Sequence, residues 1–197
     1  NMPGWIFVPG YAKPDGKHAV LVGLPGLGGN GKGGANMFAA ASTERDPVIV
    51  CSFTYLKGRE PLGTDEAMYK AMKWLVQKCI DGFGGDRNRV FTTGFSAGGL
   101  YAPKITASWW HLDKQSFLPR ACIFMGQQCD AYAPEVPPIP HIAIVGAEDV
   151  NGRDRVTAAK ESSNQIWRRG IPVWYNEVPG VGHSIGTRGW QILRGVI

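Results

Sequence analysis

Ser96 lies at the centre of a Gly-x-Ser-x-Gly pattern, residues 94–98, within RVFTTGFSAGGLYAPKI. An apolar run typical of a strand precedes the pattern, and a segment with helical periodicity follows it. A serine in this position lies on a tight turn, because glycines two residues before and after it let neighbouring backbone pass without a Cβ clash. The hydroxyl then projects above the sheet, with the N–H of Ala97 directed at the same spot. The pattern predicts a nucleophile that attacks a carbonyl, with Ala97 as one oxyanion donor.

A serine nucleophile on such a turn takes its base from further along the chain. His183 is the candidate, because the Gly-flanked loop PGVGHSIG follows the last predicted strand. The other three histidines fit less well, since His18 precedes the serine, His111 lies in a helix-rich segment and His141 opens a strand. We expect those three to be structural.

An acid is needed to orient the base and to fix its tautomer. Asp149 in IVGAEDVNG comes just past a predicted strand end, which favours it for this role. Glu148 is its neighbour and a rival. Asp130, which follows the preceding strand, is a second rival. The order along the chain therefore favours Ser96, Asp149 and His183 as a triad and leaves two other carboxylates open.

The glycine-rich loop at 24–34, LPGLGGNGKGG, has three interpretations. It fits the dinucleotide pattern G-x-G-x-x-G, and it fits the phosphate-loop pattern G-x-x-x-x-G-K except that Gly33 replaces the Ser or Thr that binds Mg²⁺. Both matches are weak in a chain with 27 glycines, and no clear helix start follows. It can also be a featureless surface loop. The favoured interpretation is a turn that presents the N–H of Leu27 as the second oxyanion donor, because only this one has partners elsewhere.

The elements that position these residues alternate along the chain. Apolar runs bounded by turn residues predict strands at 5–8, 19–24, 48–51, 90–94, 121–126, 141–146 and 173–178. Helical patterns cover 65–80, the segment after Ser96 and 155–168. This alternation predicts an α/β fold over residues 1–197, a single domain with a mostly parallel sheet and helices on both faces. The prolines between the strands at 121–126 and 141–146 leave no room for a lid domain.

Composition excludes several classes of function. The net charge of +5 is scattered without a basic run, so nucleic-acid binding is not indicated. No apolar stretch approaches the roughly 18 residues of a membrane span, and the first residues lack the layout of a signal peptide. The four cysteines show no C-x-x-C pair and no zinc spacing, so we expect no metal and no other cofactor. Cys122 and Cys129 would be able to form a local disulfide in an exported protein, whereas Cys51 is predicted to be buried.

Four segments together, DRNRVFTTGFSAGG, LPGLGGNG, VGAED and PGVGHS, resemble the esterase family that includes polyhydroxybutyrate depolymerases and feruloyl or acetylxylan esterases. The resemblance spans about residues 5–190. It implies an α/β-hydrolase fold, a secreted or periplasmic setting, and esters of plant polysaccharide or polyester as substrates. By position, Ser96, Asp149 and His183 match the family's triad, and Leu27 and Ala97 match its oxyanion residues. Pro25-Gly26 stands where the family commonly has His-Gly, and this turn also resembles cutinase-like polyester hydrolases.

We therefore expect an ester substrate, which the resemblance extends to polymeric esters, and a monomeric enzyme. Aromatic residues in predicted loops and helix ends, among them Tyr55, Trp109 and Tyr132, are candidates to stack on an aromatic acid or a sugar, although packing is the commoner role of such residues. A serine peptidase shares the triad chemistry, but the sequence has no propeller or peptide-specific pocket. A binding protein that keeps the fold is a third hypothesis, disfavoured because all three triad residues are present.

Overall fold

The computed structural model describes residues 2–58, 60–113, 119–127, 137–150 and 154–197. The strands in this part of the chain are β1 (Gly4–Phe7), β2 (His18–Leu24), β3 (Val48–Phe53), β4 (Leu56–Lys57), β5 (Glu60–Pro61), β6 (Gly85–Phe95), β7 (Ala121–Met125), β8 (His141–Gly146) and β9 (Val173–Val178). The helices are α1 (Gly31–Phe38), α2 (Asp65–Phe83), α3 (Ala97–Leu112), α4 (Arg155–Arg168) and α5 (Gly186–Val196), with a short 3₁₀ turn at Ala39–Ala41.

Seven of these strands form one sheet in the order β1-β3-β2-β6-β7-β8-β9. All neighbours in it are parallel except β1, which lies antiparallel to β3 at the edge. The predicted mostly parallel sheet is confirmed. Its strands lie within a few residues of the predicted runs, and β6 is the main exception because it begins at Gly85 and continues to the residue before Ser96.

The helices cover both faces of the sheet, as the sequence predicted. Alternate side chains of β2 point to opposite faces, so Val20 and Val22 pack in one core cluster and Leu21 in the other. The first cluster lies under α2 and α3, and a smaller one around Phe124 and Ala143 lies under α4 on the same side. The second cluster lies under α1 and α5. Burial on both faces explains why β2 and β3 are continuous apolar runs rather than alternating ones.

Helix α1 corrects the prediction that no clear helix start follows the glycine-rich loop. Glycine has low helix propensity, but here close packing requires it. A Cβ on Gly31 would lie 2.3 Å from the Trp5 ring, and one on Gly34 would lie 2.5 Å from Ser52 Oγ. Tertiary packing therefore selects glycine and overrides the local preference. Helix α5, which begins three residues after His183, was also not predicted.

Two further sequence expectations concern membranes and disulfides. Within the described ranges, no helix combines the length and the apolar character needed to cross a bilayer. The conditional Cys122–Cys129 disulfide is not supported, because Cys122 is a buried free thiol on β7, and Cys129 lies outside the described residues. Burial raises the pKa of the Cys122 thiol to about 11. Cys51 is fully buried, as predicted.

Candidate active site

Ser96 occupies a strained turn between β6 and α3. Its backbone angles are φ 56° and ψ −122°, and no other non-glycine residue in the described ranges has a positive φ. Such a conformation costs on the order of 1–3 kcal/mol and persists only where the surroundings enforce it. The surroundings do so here, because β6 runs straight into the turn and the Ser96 N–H donates to Met125 O on β7 at 2.9 Å. The turn lifts the side chain above the carboxyl edge of the sheet.

Gly94 and Gly98 make this turn possible by close approach of backbone. A Cβ on Gly94 would lie 2.0 Å from the carbonyl oxygen of Gly98, and one on Gly98 would lie 2.0 Å from the carbonyl oxygen of Leu24. Neither neighbour is a flexible side chain, so a larger residue would have to push main chain apart. The spacing of the Gly-x-Ser-x-Gly pattern thus follows from the packing of helix α3 against β6 and β2.

The three side chains that the sequence analysis grouped lie in one hydrogen-bonded row. His183 Nε2 is 2.9 Å from Ser96 Oγ, and His183 Nδ1 is 2.7 Å from Asp149 Oδ2. An ionised carboxylate can only accept, so the proton is on Nδ1 and the lone pair of Nε2 faces the serine hydroxyl. Ser96 and His183 are 87 positions apart along the chain, and Asp149 and His183 are 34 positions apart. Only the fold brings the three together. The geometry is that of a nucleophile, a base and an orienting acid.

Asp149 is the carboxylate that meets the imidazole, and its side chain is completely buried. Its second oxygen, Oδ1, accepts from Arg155 Nη1 at 2.8 Å, so both oxygens are engaged. Glu148, the neighbouring rival, is exposed to solvent. The other rival, Asp130, lies outside the described residues. Burial of a carboxylate is costly unless it is paired, and the imidazole and the guanidinium together supply that pairing.

The His183 ring lies between protein and solvent. The Phe95 ring is 4.9 Å from it, centroid to centroid, at 32° between planes. Gly126, with φ 60°, follows β7 at the same place, where a Cβ would lie 2.8 Å from the Phe95 ring and 3.4 Å from His183 Cε1. The imidazole keeps 26% of its surface exposed. One side of the imidazole therefore packs against the Phe95 ring, and part of its surface remains accessible to an incoming molecule.

The loop after β2 brings a backbone donor towards the serine. Gly26 and Gly29 close a tight turn through a 3.0 Å hydrogen bond, and Gly28 has φ 78°. A Cβ on Gly26 would lie 3.8 Å from Ser96 Oγ, so the turn lies against the nucleophile. The next residue is Leu27, and its N–H donates to no protein acceptor in the described chain. The N–H of Ala97 also donates to no protein acceptor in the described chain, because Ala97 is the first residue of helix α3.

The nucleotide-binding interpretations of the same loop lose support because the protein uses the relevant donors itself. At the start of α1, the Gly31 N–H donates to Thr54 Oγ1 at 3.0 Å, and the Gly33 N–H donates to Asn30 Oδ1 at 2.8 Å. A phosphate at this helix end would have to displace both bonds. In addition, no three His, Cys, Asp or Glu side chains of the described chain are grouped so that they would hold a metal ion.

The structure contradicts two of the three predicted substrate contacts. Tyr55 and Trp109 are 1% and 0% exposed and belong to the core under α2 and α3, so neither is available to stack on a substrate. Both are large apolar rings, and hydrophobic burial outweighed the loop and helix-end positions that suggested exposure. Tyr132 lies outside the described residues. Tyr55 has another role in the site, because its hydroxyl donates to Pro25 O at 2.7 Å and so fixes the loop that carries Leu27.

Two of the remaining histidines are structural, as expected. His18 Nε2 is 2.9 Å from Lys13 O, and the His141 ring is wholly buried with Nδ1 2.7 Å from Ile139 O. His111 lies in α3, as the sequence indicated.

Sequence reasoning missed Arg155, which contacts the buried acid. A signal for it was present in the sequence. Arg155 is the first residue of α4, and a cation at the positive end of a helix dipole is unfavourable by a few tenths of a kcal/mol unless an anion offsets it. A basic residue at a predicted helix start therefore indicates a nearby carboxylate, although the sequence alone does not say which one.

Solved structures with similar folds include esterases and a thioesterase. Esterase PE8 is 14% identical and superimposes with a TM-score of 0.68 over the whole of this chain and 99% of that one. Thermogutta terrifontis esterase 2 phosphorylated by paraoxon is 14% identical, with a TM-score of 0.70 over 99% of this chain and 86% of that one. Acyl-protein thioesterase 2 of Zea mays is 14% identical, with a TM-score of 0.65 over 98% and 96% of the two chains.

These likenesses establish the fold. The chain has the α/β-hydrolase fold, as the sequence analysis expected. No protein-family model matches the sequence, and no curated protein matches it.

Proposed function

We propose that this protein is a serine carboxylic ester hydrolase, with Ser96 as nucleophile, His183 as general base and Asp149 as orienting acid. The observation that carries the proposal is the continuous hydrogen-bonded row from Ser96 Oγ through both imidazole nitrogens to a buried carboxylate. Esterases among the structurally similar proteins support the same reaction class. The intact row also disfavours a binding protein that has lost catalysis.

The reaction follows from the positions of the protons. His183 Nε2 takes the Ser96 proton while Oγ attacks the ester carbonyl, and the N–H groups of Leu27 and Ala97 donate to the oxyanion that forms. The imidazolium then gives its proton to the departing alkoxide, which leaves as the alcohol. Water attacks the acyl-enzyme in the same way, its proton passing through His183 to Ser96 Oγ as the acid is released. Asp149 keeps the imidazole oriented and stabilises its charge throughout.

Ser96→Ala tests the assignment directly. Activity on p-nitrophenyl butyrate should fall by at least about 10⁴-fold, because loss of the nucleophile removes the covalent route. Ser108→Ala is the matched control, since Ser108 lies on the same helix and its hydroxyl bonds only the Lys104 carbonyl of that helix. Near wild-type activity of Ser96→Ala, with Ser108→Ala also active, would reject Ser96 as nucleophile.

A covalent label gives a second readout. Paraoxon phosphorylates the similar Thermogutta esterase 2, so we expect it to inactivate this protein and to add one phosphoryl group to the peptide that contains Ser96. Ser96→Ala should remain unlabelled. Labelling of that variant at another serine would place the nucleophile elsewhere.

For the natural substrate, we infer a bulky ester, either a feruloyl or acetyl group on plant polysaccharide or a polyester, hydrolysed outside the cytoplasm by a monomer. The four motif segments that resemble polyhydroxybutyrate depolymerases and feruloyl esterases support this choice. The exposure of Leu27, 52%, and of the imidazole supports it as well, because a polymer chain needs a site near the surface.

A substrate panel distinguishes the classes. Methyl ferulate, acetylated xylan, polyester films and a peptide amide should be assayed beside short p-nitrophenyl esters, with Ser96→Ala as the blank. Selective cleavage of one ester class identifies the subfamily, and cleavage of peptides alone would support the peptidase alternative instead.

A further inference from the structure

The carboxylate of Asp149 accepts hydrogen bonds from two basic side chains, and one of them is not a member of the triad. Oδ2 accepts from His183 Nδ1 at 2.7 Å and Oδ1 accepts from Arg155 Nη1 at 2.8 Å. The carboxylate is completely buried, whereas the Arg155 side chain keeps 19% of its surface exposed. A carboxylate held on both oxygens has little freedom to rotate about its Cβ–Cγ bond. The plane in which it meets the imidazole is therefore set in part by Arg155.

We propose that Arg155 is a positioning residue for the triad: it fixes the orientation of the Asp149 carboxylate and limits how strongly that carboxylate favours a charged imidazole. This proposal rests on the proposed esterase function. Arg155 does not touch the reacting atoms. It acts through Asp149, so its removal should change both the fraction of His183 that is a free base at a given pH and the alignment of the row.

The direction of the pH effect follows from the charges around His183. Asp149 attracts the imidazolium and Arg155 repels it through the same short chain of contacts. Ser96 and Phe95, which also contact the ring, are neutral. Glu148 on the same loop and Asp154, the N-cap of α4, are exposed, so water and salt screen them. Loss of the guanidinium leaves the attraction of Asp149 unopposed. The imidazole then stays protonated, and inactive as a base, up to a higher pH.

The test compares the pH dependence of kcat/KM on p-nitrophenyl butyrate for wild type, Arg155→Gln and Arg155→Lys. We expect the acidic limb of the Gln variant to move up by about one pH unit. Its plateau should fall about tenfold through misalignment. The Lys variant keeps the charge, so its limb should stay at the wild-type position and its plateau should fall by only about threefold, since one ammonium replaces a planar fork.

Lys160→Gln is the matched control, because it removes one exposed positive charge from the same helix, and its profile should match wild type. Thermal unfolding by circular dichroism establishes that each variant is folded at the assay temperature. If Arg155→Gln does not fold, Arg155→Lys decides the matter, because a moved limb in that variant would show that charge at residue 155 does not set the profile. A folded Gln variant with an unmoved limb overturns the proposal equally.

Ser96→Ala separates the two levels of inference. If Ser96→Ala is inactive and the Arg155→Gln limb does not move, the positioning role fails while the triad assignment stands. If Ser96→Ala retains activity, the triad assignment fails and the role of Arg155 fails with it.

Discussion

The two edges of the same sheet differ in what they bring together. At the carboxyl edge, side chains from the ends of β6 and β8 and from the loop after β9 form one hydrogen-bonded row. At the amino edge, where β6 to β9 begin, there is a groove of about 770 Å³ beside the end of α5. Among the residues that line it are Asn88, Arg120, Ile142, Trp174, Ile192 and Val196.

None of the residues that line this groove belongs to the row of Ser96, His183 and Asp149. Arg89 in the groove bonds to the carbonyl oxygens of Lys17 and Ile197 and to the Asp46 carboxylate, which are contacts that hold the fold together. The carboxyl edge instead carries a serine with a strained backbone, an imidazole with an available lone pair and two N–H groups without a protein acceptor in the described structure. Volume alone does not predict reactivity, whereas convergence of groups with complementary proton-transfer roles does.

The largest of the effects that distinguish the two edges is expected for Asp149→Asn at the carboxyl edge. An amide cannot hold the proton on His183 Nδ1 in the same way, so the imidazole adopts the wrong tautomer for accepting the serine proton. We expect kcat on p-nitrophenyl butyrate to fall about 10⁴-fold with little change in fold.

Asp113→Asn is the control for this variant. Asp113 is also a largely buried carboxylate, and it accepts from Tyr69 at 2.7 Å at the far end of α3. Sixteen residues of helix separate it from Ser96, roughly 24 Å at 1.5 Å per residue, so kcat should be close to wild type. Loss of less than tenfold in Asp149→Asn would return Glu148 and Asp130 to consideration as the acid.

An intermediate effect is expected at His141, which provides a contrast with His183. His141 is buried at the start of β8, and desolvation lowers its pKa from 6.5 to about 4. At pH values between about 4 and 6.5, the His141 ring is therefore protonated in the unfolded chain but neutral in the folded one. His141 thus leaves stability intact above about pH 6.5 and reduces it as the pH falls towards 4, by up to about 3 kcal/mol.

His141→Asn should remove this loss, because an amide does not titrate and its Nδ2 can still donate to the Ile139 carbonyl. Urea unfolding at pH 7 and pH 4.5 measures it. We expect the free energy of unfolding of wild type to drop about 2–3 kcal/mol more than that of the variant over this interval. Parallel pH dependences for the two proteins would mean that the His141 ring takes up its proton over the same pH range in the folded and in the unfolded chain.

The sequence predicted the elements that are set by local pattern. Apolar runs marked the strands of the main sheet, and the constraint of close backbone approach at Gly94 and Gly98 marked the turn at Ser96. Chain order then led to His183 and Asp149, which do lie in contact with each other. Ser96, Asp149 and His183 could be predicted because strand ends and glycine spacing can be read from the local sequence.

Features that depend on long-range packing were missed or wrong. Helix α1 forms against the local propensity of its glycines because Trp5 and Ser52 leave no space for a side chain. Tyr55 was a candidate to stack on the substrate, yet it is buried and supports the loop that carries Leu27. The pairing of Arg155 with Asp149 rather than with another carboxylate depends on where α4 docks. None of these is fixed by spacing along the chain.

The smallest effect is expected at the amino edge of the sheet. Arg120 is exposed and its side chain has no protein partner in the described structure, and Trp174 is 56% exposed. Arg120→Gln and Trp174→Ala should leave kcat/KM on short esters within about twofold, and the free energy of unfolding within roughly 0.5 kcal/mol, because exposed substitutions outside a network seldom do more. Steady-state kinetics and urea unfolding of both variants check this. A tenfold loss of kcat/KM in either one, with stability unchanged, would mean that the groove takes part in the reaction and that the carboxyl edge does not act alone.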